Sequence, residues 1–282
     1  MDDSPRPIPN KPTIPRRWWV LLIALGALCV MGFYTVTSPD LLTHSHLLDG
    51  TDVIGYALCH RITERSFTIA GRQMPLCARC TGMYLGVILT FVVLGISGRG
   101  RWTELPPLPI MLILIGLVGL MGIDGINSYS HFFPGAPHLY EPQNWLRLLT
   151  GMGTGLTMGV FVFPALAQTI WQQQIRQPIL RSWTELAGLL FLGFLLVLLI
   201  LSNQPLILYV LAIASAAGVL LILTCLNGII GLVLFRRDGQ ANNWQQAAGP
   251  LVLSLVLALV QLGTISFIRF SLTGTMTGFP GL

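Results

Sequence analysis

Long apolar runs separated by short polar or Pro/Gly-rich joints are the dominant pattern along this chain. A helix that crosses a bilayer needs about 20 mainly apolar residues. Seven runs approach that length: roughly Trp18 to Val36, Ala78 to Ile96, Leu108 to Ile126, Trp145 to Ala167, Leu186 to Leu201, Leu206 to Phe235, and Pro250 to Phe270. The fifth is short and the sixth long, with the joint Ser202-Asn203-Gln204-Pro205 between them; reading that pair as one would leave six. The pattern predicts an all-α polytopic transmembrane bundle of about seven spans. Residues 1–17 form an N-terminal tail, 18–272 a single helical domain with an outer loop at 38–77, and 273–282 a C-terminal tail.

Composition strengthens this reading. The 282 residues are 53% hydrophobic and only 10% charged, against about 25% charged in soluble domains. No polar stretch is long enough to enclose a core of its own. The net charge is +5, carried by 15 Arg and one Lys at the ends of apolar runs. That distribution suits topology signals and membrane lipid as partner, not a nucleic-acid footprint.

Short cytoplasmic loops are enriched in Lys and Arg. Arg6, Lys11, Arg16 and Arg17 therefore place the N-terminus inside, and alternation then puts Arg99/Arg101, Arg176/Arg181 and Arg236/Arg237 inside as well. The first run lacks a small-residue cleavage site, so a retained anchor is expected rather than a signal peptide. Trp18, Trp19, Trp102, Trp145, Trp171, Trp183 and Trp244 all lie near run ends, where amphipathic rings favour the interface. All five histidines (His44, His46, His60, His131, His138) fall in the outer loops, and His131 and His138 are read as solvated. Arg61, Arg65, Arg72 and Arg79 also fall outside, against the charge bias, which makes them candidates for an anion or lipid-headgroup contact.

The stretch richest in chemistry is Cys59-His60-Arg61, then Arg65-Ser66-Phe67, then Pro75-Leu76-Cys77-Ala78-Arg79-Cys80-Thr81-Gly82. Pro75 suits a helix start, which would put Cys77 and Cys80 on one face of a first turn. A helix N-terminus favours thiolate, the form that binds metal or attacks a disulfide. With Asp124-Gly125 and with Asn144, Leu146, Arg147, Thr150 and Gly151, this stretch resembles domain-of-unknown-function family 2085, over roughly Cys59 to Gly159. The resemblance implies a multi-pass protein of a prokaryotic cytoplasmic membrane and carries no established activity. One departure is that the Gln usual after Asp-Gly is missing; Asn127 and Ser128 occupy that region.

Alternating topology brings the three motif blocks to the same outer face. A metal site is one reading, with zinc or another soft or borderline metal held by Cys59, His60, Cys77 and Cys80, or by three cysteines and one of His44, His46 or His60. Asp124, Asn144 and Arg147 would line an adjoining polar pocket, with Arg147 pairing Asp124 or holding a phosphate or carboxylate. They are also the candidate catalytic groups if the protein is an enzyme. Other readings are a thiol–disulfide oxidoreductase, an enzyme acting on a lipid-linked or phosphorylated substrate, and a transporter or accessory subunit braced by a disulfide. Cys29 and Cys225 read as small buried hydrophobes. The glycines at 116, 119, 122 and 125, at 151, 155 and 159, and at 82 and 86 predict close packing of the second, third and fourth spans. No P-loop, nucleophile elbow, dinucleotide fingerprint or His-Glu-x-x-His occurs, and no internal repeat.

Overall fold

A computed structural model describes residues 46–133, 137 and 139–276. The expected first span, Cys29, His44, His138 and the N-terminal tail lie outside the described residues. Seven helices follow in order: α1 (His46–Leu58), α2 (Ala78–Ile96), α3 (Leu108–Ser130), α4 (Asn144–Ile170), α5 (Trp183–Leu201), α6 (Pro205–Leu234) and α7 (Trp244–Thr273). The last six are long and apolar enough to cross a membrane. The joint near Ser202 is real: α5 stops at Leu201, Asn203 turns with φ 53°, and α6 starts at Pro205.

The last spanning helices start earlier than their apolar runs, most clearly α5 and α7, whose caps are polar. Ser182 accepts the Glu185 N–H at the start of α5, and Asn243 accepts the Gln246 N–H at the start of α7. Pro250, expected at the start of the last span, instead sits inside α7. Pro75 likewise does not open α2, which is capped by Cys77.

The described part of the region expected as an outer loop, residues 46–77, forms regular elements. It holds α1, a short 3-10 turn (Thr63–Arg65) and the hairpin β1 (Thr68–Ile69) and β2 (Arg72–Gln73). Ala70 and Gly71 both have positive φ, the geometry of a tight I′-type turn. At the opposite end of the bundle, β3 (Trp102–Glu104) pairs in parallel with β4 (Ile175–Pro178). Trp171, read as an interfacial ring, is buried there; its indole N–H donates to Gly100 O at 2.8 Å, and Trp244 packs edge-on to it.

The core is organised by α2 and α4, the most intimate helix pair. A Cβ at Gly155 would lie 1.9 Å from Met83 O, one at Gly151 2.2 Å from Arg79 O, and one at Gly82 2.3 Å from Leu148 O. Glycine on both helices thus lets the two backbones touch. The glycine stripe of α3 is a correction: Gly116, Gly119 and Gly122 have nothing within 4 Å, so they face outward. Only the second and fourth of the three expected spans pack through glycine.

Gly155→Ala is expected to destabilise the protein by about 1–3 kcal/mol or more through forced separation of α2 and α4. Gly119→Ala is expected to be neutral or slightly stabilising, since alanine is the better helix former. Unfolding of both variants in detergent checks the pair, and equal effects would contradict the contact.

Candidate functional site

Three cysteines meet where α1 ends and α2 begins. The Cys59 N–H bonds to Gly55 O at 2.8 Å as the last turn of α1 closes. A Cβ on Gly55 would lie 2.0 Å from Pro75 O, so the returning hairpin rests directly on α1. That contact brings Cys77, the cap of α2, back to Cys59, and Cys80 follows one turn later. The three Sγ atoms lie within 4.8 Å of one another. All three are free thiols; Cys59 and Cys77 are buried and Cys80 is half-buried. The Cys77 N–H donates to Cys59 Sγ at 3.2 Å.

Hydrogen bonds from Cys77 and then Cys80 pull the Cys59 thiol down to about 2 despite its burial. The adjacent Cys59 sulfur pushes Cys77 up to about 12. The hydrogen bonds of the cluster converge on the Cys59 sulfur. Arg269, near the end of α7, donates to Tyr56 O at 2.6 Å and Cys59 O at 2.5 Å, which ties the last helix to this turn.

His60 does not join the sulfurs: the close cluster found among the described residues is Cys59, Cys77 and Cys80. The Ile62 N–H donates to His60 Nδ1 at 3.2 Å, and burial holds the imidazole below its ordinary value. Adjacent side chains on an extended turn diverge, so Cys59 faces inward while His60 serves its own loop. His131 lies beside Glu141, 3.2 Å from its carboxylate.

A second cluster lies beside the first. Asp124 is 1% exposed because α3 continues past it to Ser130. Its partners are Arg79, through a direct ion pair, and the Tyr140 hydroxyl at 2.8 Å. The expected Asp124–Arg147 pair is corrected: Arg147 donates to Asn144 Oδ1 at 2.9 Å and to Ser128 Oγ at 3.4 Å. The glycine contact explains the exchange, because it sets Arg79 against α4 at Gly151 and points its guanidinium to α3. Asn144 Nδ2 donates to Glu64 O at 3.0 Å, binding α4 to the 3-10 turn. Asn127, in the region where the family's Gln is missing, accepts from Leu139 N–H at 2.7 Å and donates to Tyr140 O at 2.9 Å. It fixes the segment that carries Tyr140.

Two of the arginines read as anion candidates are otherwise engaged. Arg61 is buried against Asp52 at 3.0 Å, and Arg72 bonds Asp49 and Asp52 at 2.7 Å each. Arg65 lies over the Phe132 ring at 3.9 Å and donates to Ser128 O at 3.2 Å. Tyr140, Ser128 and Arg269 were not legible as site residues. The first two have no spacing signal, and Arg269 sits in the last apolar run.

This geometry falls within a recognised segment. Residues 59–161 match the family model "Predicted membrane protein (DUF2085)". The stretch contains the three cysteines, Arg65, Arg79, Asp124, Ser128, Tyr140, Asn144 and Arg147, but not Arg269. The chain is also similar to two archaeal proteins. An uncharacterized protein of Methanothermobacter thermautotrophicus is 49% identical over 35 residues, 12% of this chain and 32% of its own length. An uncharacterized protein of Methanocaldococcus jannaschii is 28% identical over 126 residues, 41% of this chain and 68% of its own. No solved structure matches the chain.

Removing one partner of a buried ion pair strands the other. Asp124→Ala is expected to destabilise the protein by about 3 kcal/mol, with Arg79→Gln costing clearly less in that background than alone. A double-mutant cycle on unfolding in detergent measures this coupling, and strict additivity would refute the pair.

Proposed function

We propose that the protein is an integral membrane protein with a metal site at Cys59, Cys77 and Cys80, beside a ligand pocket formed by Asp124, Asn144 and Arg147 with Arg79. The observation that carries this reading is the mutual approach of three free sulfurs within 4.8 Å. Sulfurs at about 2.3 Å from a tetrahedral zinc lie about 3.8 Å apart, so small side-chain adjustments suffice. A backbone N–H already supports Cys59 Sγ, as outer-shell donors support metal-bound thiolates. Such an ion would supply a Lewis acid able to take water or a ligand beside the three sulfurs. Thiol–disulfide exchange is less favoured, because it needs an accessible attacking thiolate and Cys59 is 2% exposed.

The same reading places the cysteine end on the non-cytoplasmic side. Arg99, Arg101, Arg176, Arg181, Arg236 and Arg237 all lie at the opposite end, as basic residues do on the cytoplasmic face. Arginines at the cysteine end are largely drawn into ion pairs and backbone contacts.

Elemental analysis of purified protein with a thiol count tests the metal. About one zinc or thiolate-preferring metal per chain, with thiols protected, is expected. Cys77→Ser should lose it. A metal-free protein with a reducible Cys77–Cys80 bond overturns the reading. For orientation, an impermeant thiol reagent on intact cells should label Thr68→Cys above the parent background and spare Asp238→Cys until the membrane is opened. The reverse pattern would invert the topology.

A further inference from the structure

Three guanidiniums converge on one serine. Arg65 donates to Ser128 O at 3.2 Å, Arg79 to Ser128 Oγ at 3.2 Å, and Arg147 to the same Oγ at 3.4 Å. A single carboxylate, Asp124, makes direct contact within the group. Glu64 is exposed. Even with the exposed Glu64 counted, three guanidiniums face two carboxylates at a sheltered site. Arg147 is only 6% exposed and donates through Nε and Nη1, and Arg79 Nε is buried with no partner. Like charges held close in a medium of low dielectric repel strongly, so such a cluster favours an anion. A phosphate monoester carries about 1.5 to 2 negative charges and three acceptor oxygens, and the planar guanidinium fork matches it.

An apolar groove lies beside the cluster. A groove of about 430 Å³ runs between α3, α4 and α5, lined by Leu117, Leu120, Ile123, Leu149 and Phe194, with Tyr140 at its rim. Its lining is almost wholly apolar, and its volume is in the range of small-molecule sites. Tyr140 both lines the groove and holds Asp124 through its hydroxyl, so one residue joins the groove to the charge cluster.

We propose that this end of the bundle binds a membrane lipid by a terminal phosphate. The phosphate rests among Arg65, Arg79 and Arg147, and one hydrocarbon chain lies in the α3–α4–α5 groove. The charge surplus selects the phosphate, and the adjoining apolar groove selects a lipid over free phosphate. This deepens the reading of the polar cluster as a ligand pocket and is independent of the metal at the cysteines.

The test uses the purified full chain in detergent, titrated separately with phosphatidic acid, phosphatidylcholine and inorganic phosphate, with bound ligand read by native mass spectrometry and metal content measured on the same samples. Phosphatidic acid is expected to bind at least about tenfold more tightly than phosphatidylcholine. Arg147→Gln and Arg65→Gln should each weaken it by about tenfold or more. Arg65 lies in a half-buried turn, so its variant stays informative should the buried Arg147 variant fail to fold. Leu149→Trp, which fills the groove, should weaken phosphatidic acid and leave inorganic phosphate unchanged. No preference for phosphatidic acid, or indifference to Arg65→Gln, overturns the proposal. Inorganic phosphate binding as tightly as phosphatidic acid, with no effect of Leu149→Trp, assigns the site to a soluble anion and overturns the lipid. Cys77→Ser that loses metal yet keeps phosphatidic acid supports the independence of the two sites. Metal retained without any phosphatidic acid preference removes this proposal alone.

Discussion

The backbone contact between α2 and α4 sets the position of everything else at the cysteine end. Glycines at 82 and 86 on one helix and at 151 and 155 on the other remove the side chains that would keep two helices apart. In hydrocarbon there is little hydrophobic force between helices, so close van der Waals approach is what holds such a pair. The consequence is positional. Arg79 lies against the first turns of α4, close enough to α3 to claim Asp124, and Arg147 is left to Ser128 and Asn144.

Two clusters of different character result. The sulfurs of Cys59, Cys77 and Cys80 gather at the end of α1 and the start of α2, with α7 tied to the same turn through Arg269. Beside them, the guanidiniums of Arg65, Arg79 and Arg147 gather at Ser128 and around the Asp124 carboxylate. Arg79, between Cys77 and Cys80 in sequence, belongs to the second cluster while its neighbours build the first. The two chemistries part within a single helix turn because residues one or two apart project to different faces. Several of the contacts that hold them are long-range: Arg269 to Cys59 O, Asn144 to Glu64 O, and Tyr140 to Asp124.

The spans were legible because a bilayer leaves helices few alternatives. Unpaired backbone groups in hydrocarbon are costly, and an apolar run of sufficient length has to close its own hydrogen bonds. So α2, α3, α4, α5 and α6 fall close to the apolar runs, and even the short turn at Asn203 is marked by Asn, Gln and Pro. Cysteines 77 and 80 at the start of α2, and their nearness to Cys59, follow from local spacing plus one hairpin. Pro250 misled the reading of α7, because its cap lies among polar residues outside the apolar run.

Partner choice was not in the sequence. The sequence reading paired Asp124 with Arg147, the arginine one turn into the next helix, and periodicity gives no reason to prefer Arg79. Helix rotation, fixed by which glycines meet, decided for Arg79. The same rotation turned the glycines of α3 outward and those of α2 and α4 together, although all three stripes look similar on paper. His60 was lost from the sulfur cluster by the local course of one turn, and Tyr140 entered the polar cluster from a loop without a pattern. Hydrophobicity and spacing act along the chain and so determine its spans and motif blocks. Ion pairs and close packing depend on distances between distant segments, which only the assembled bundle defines.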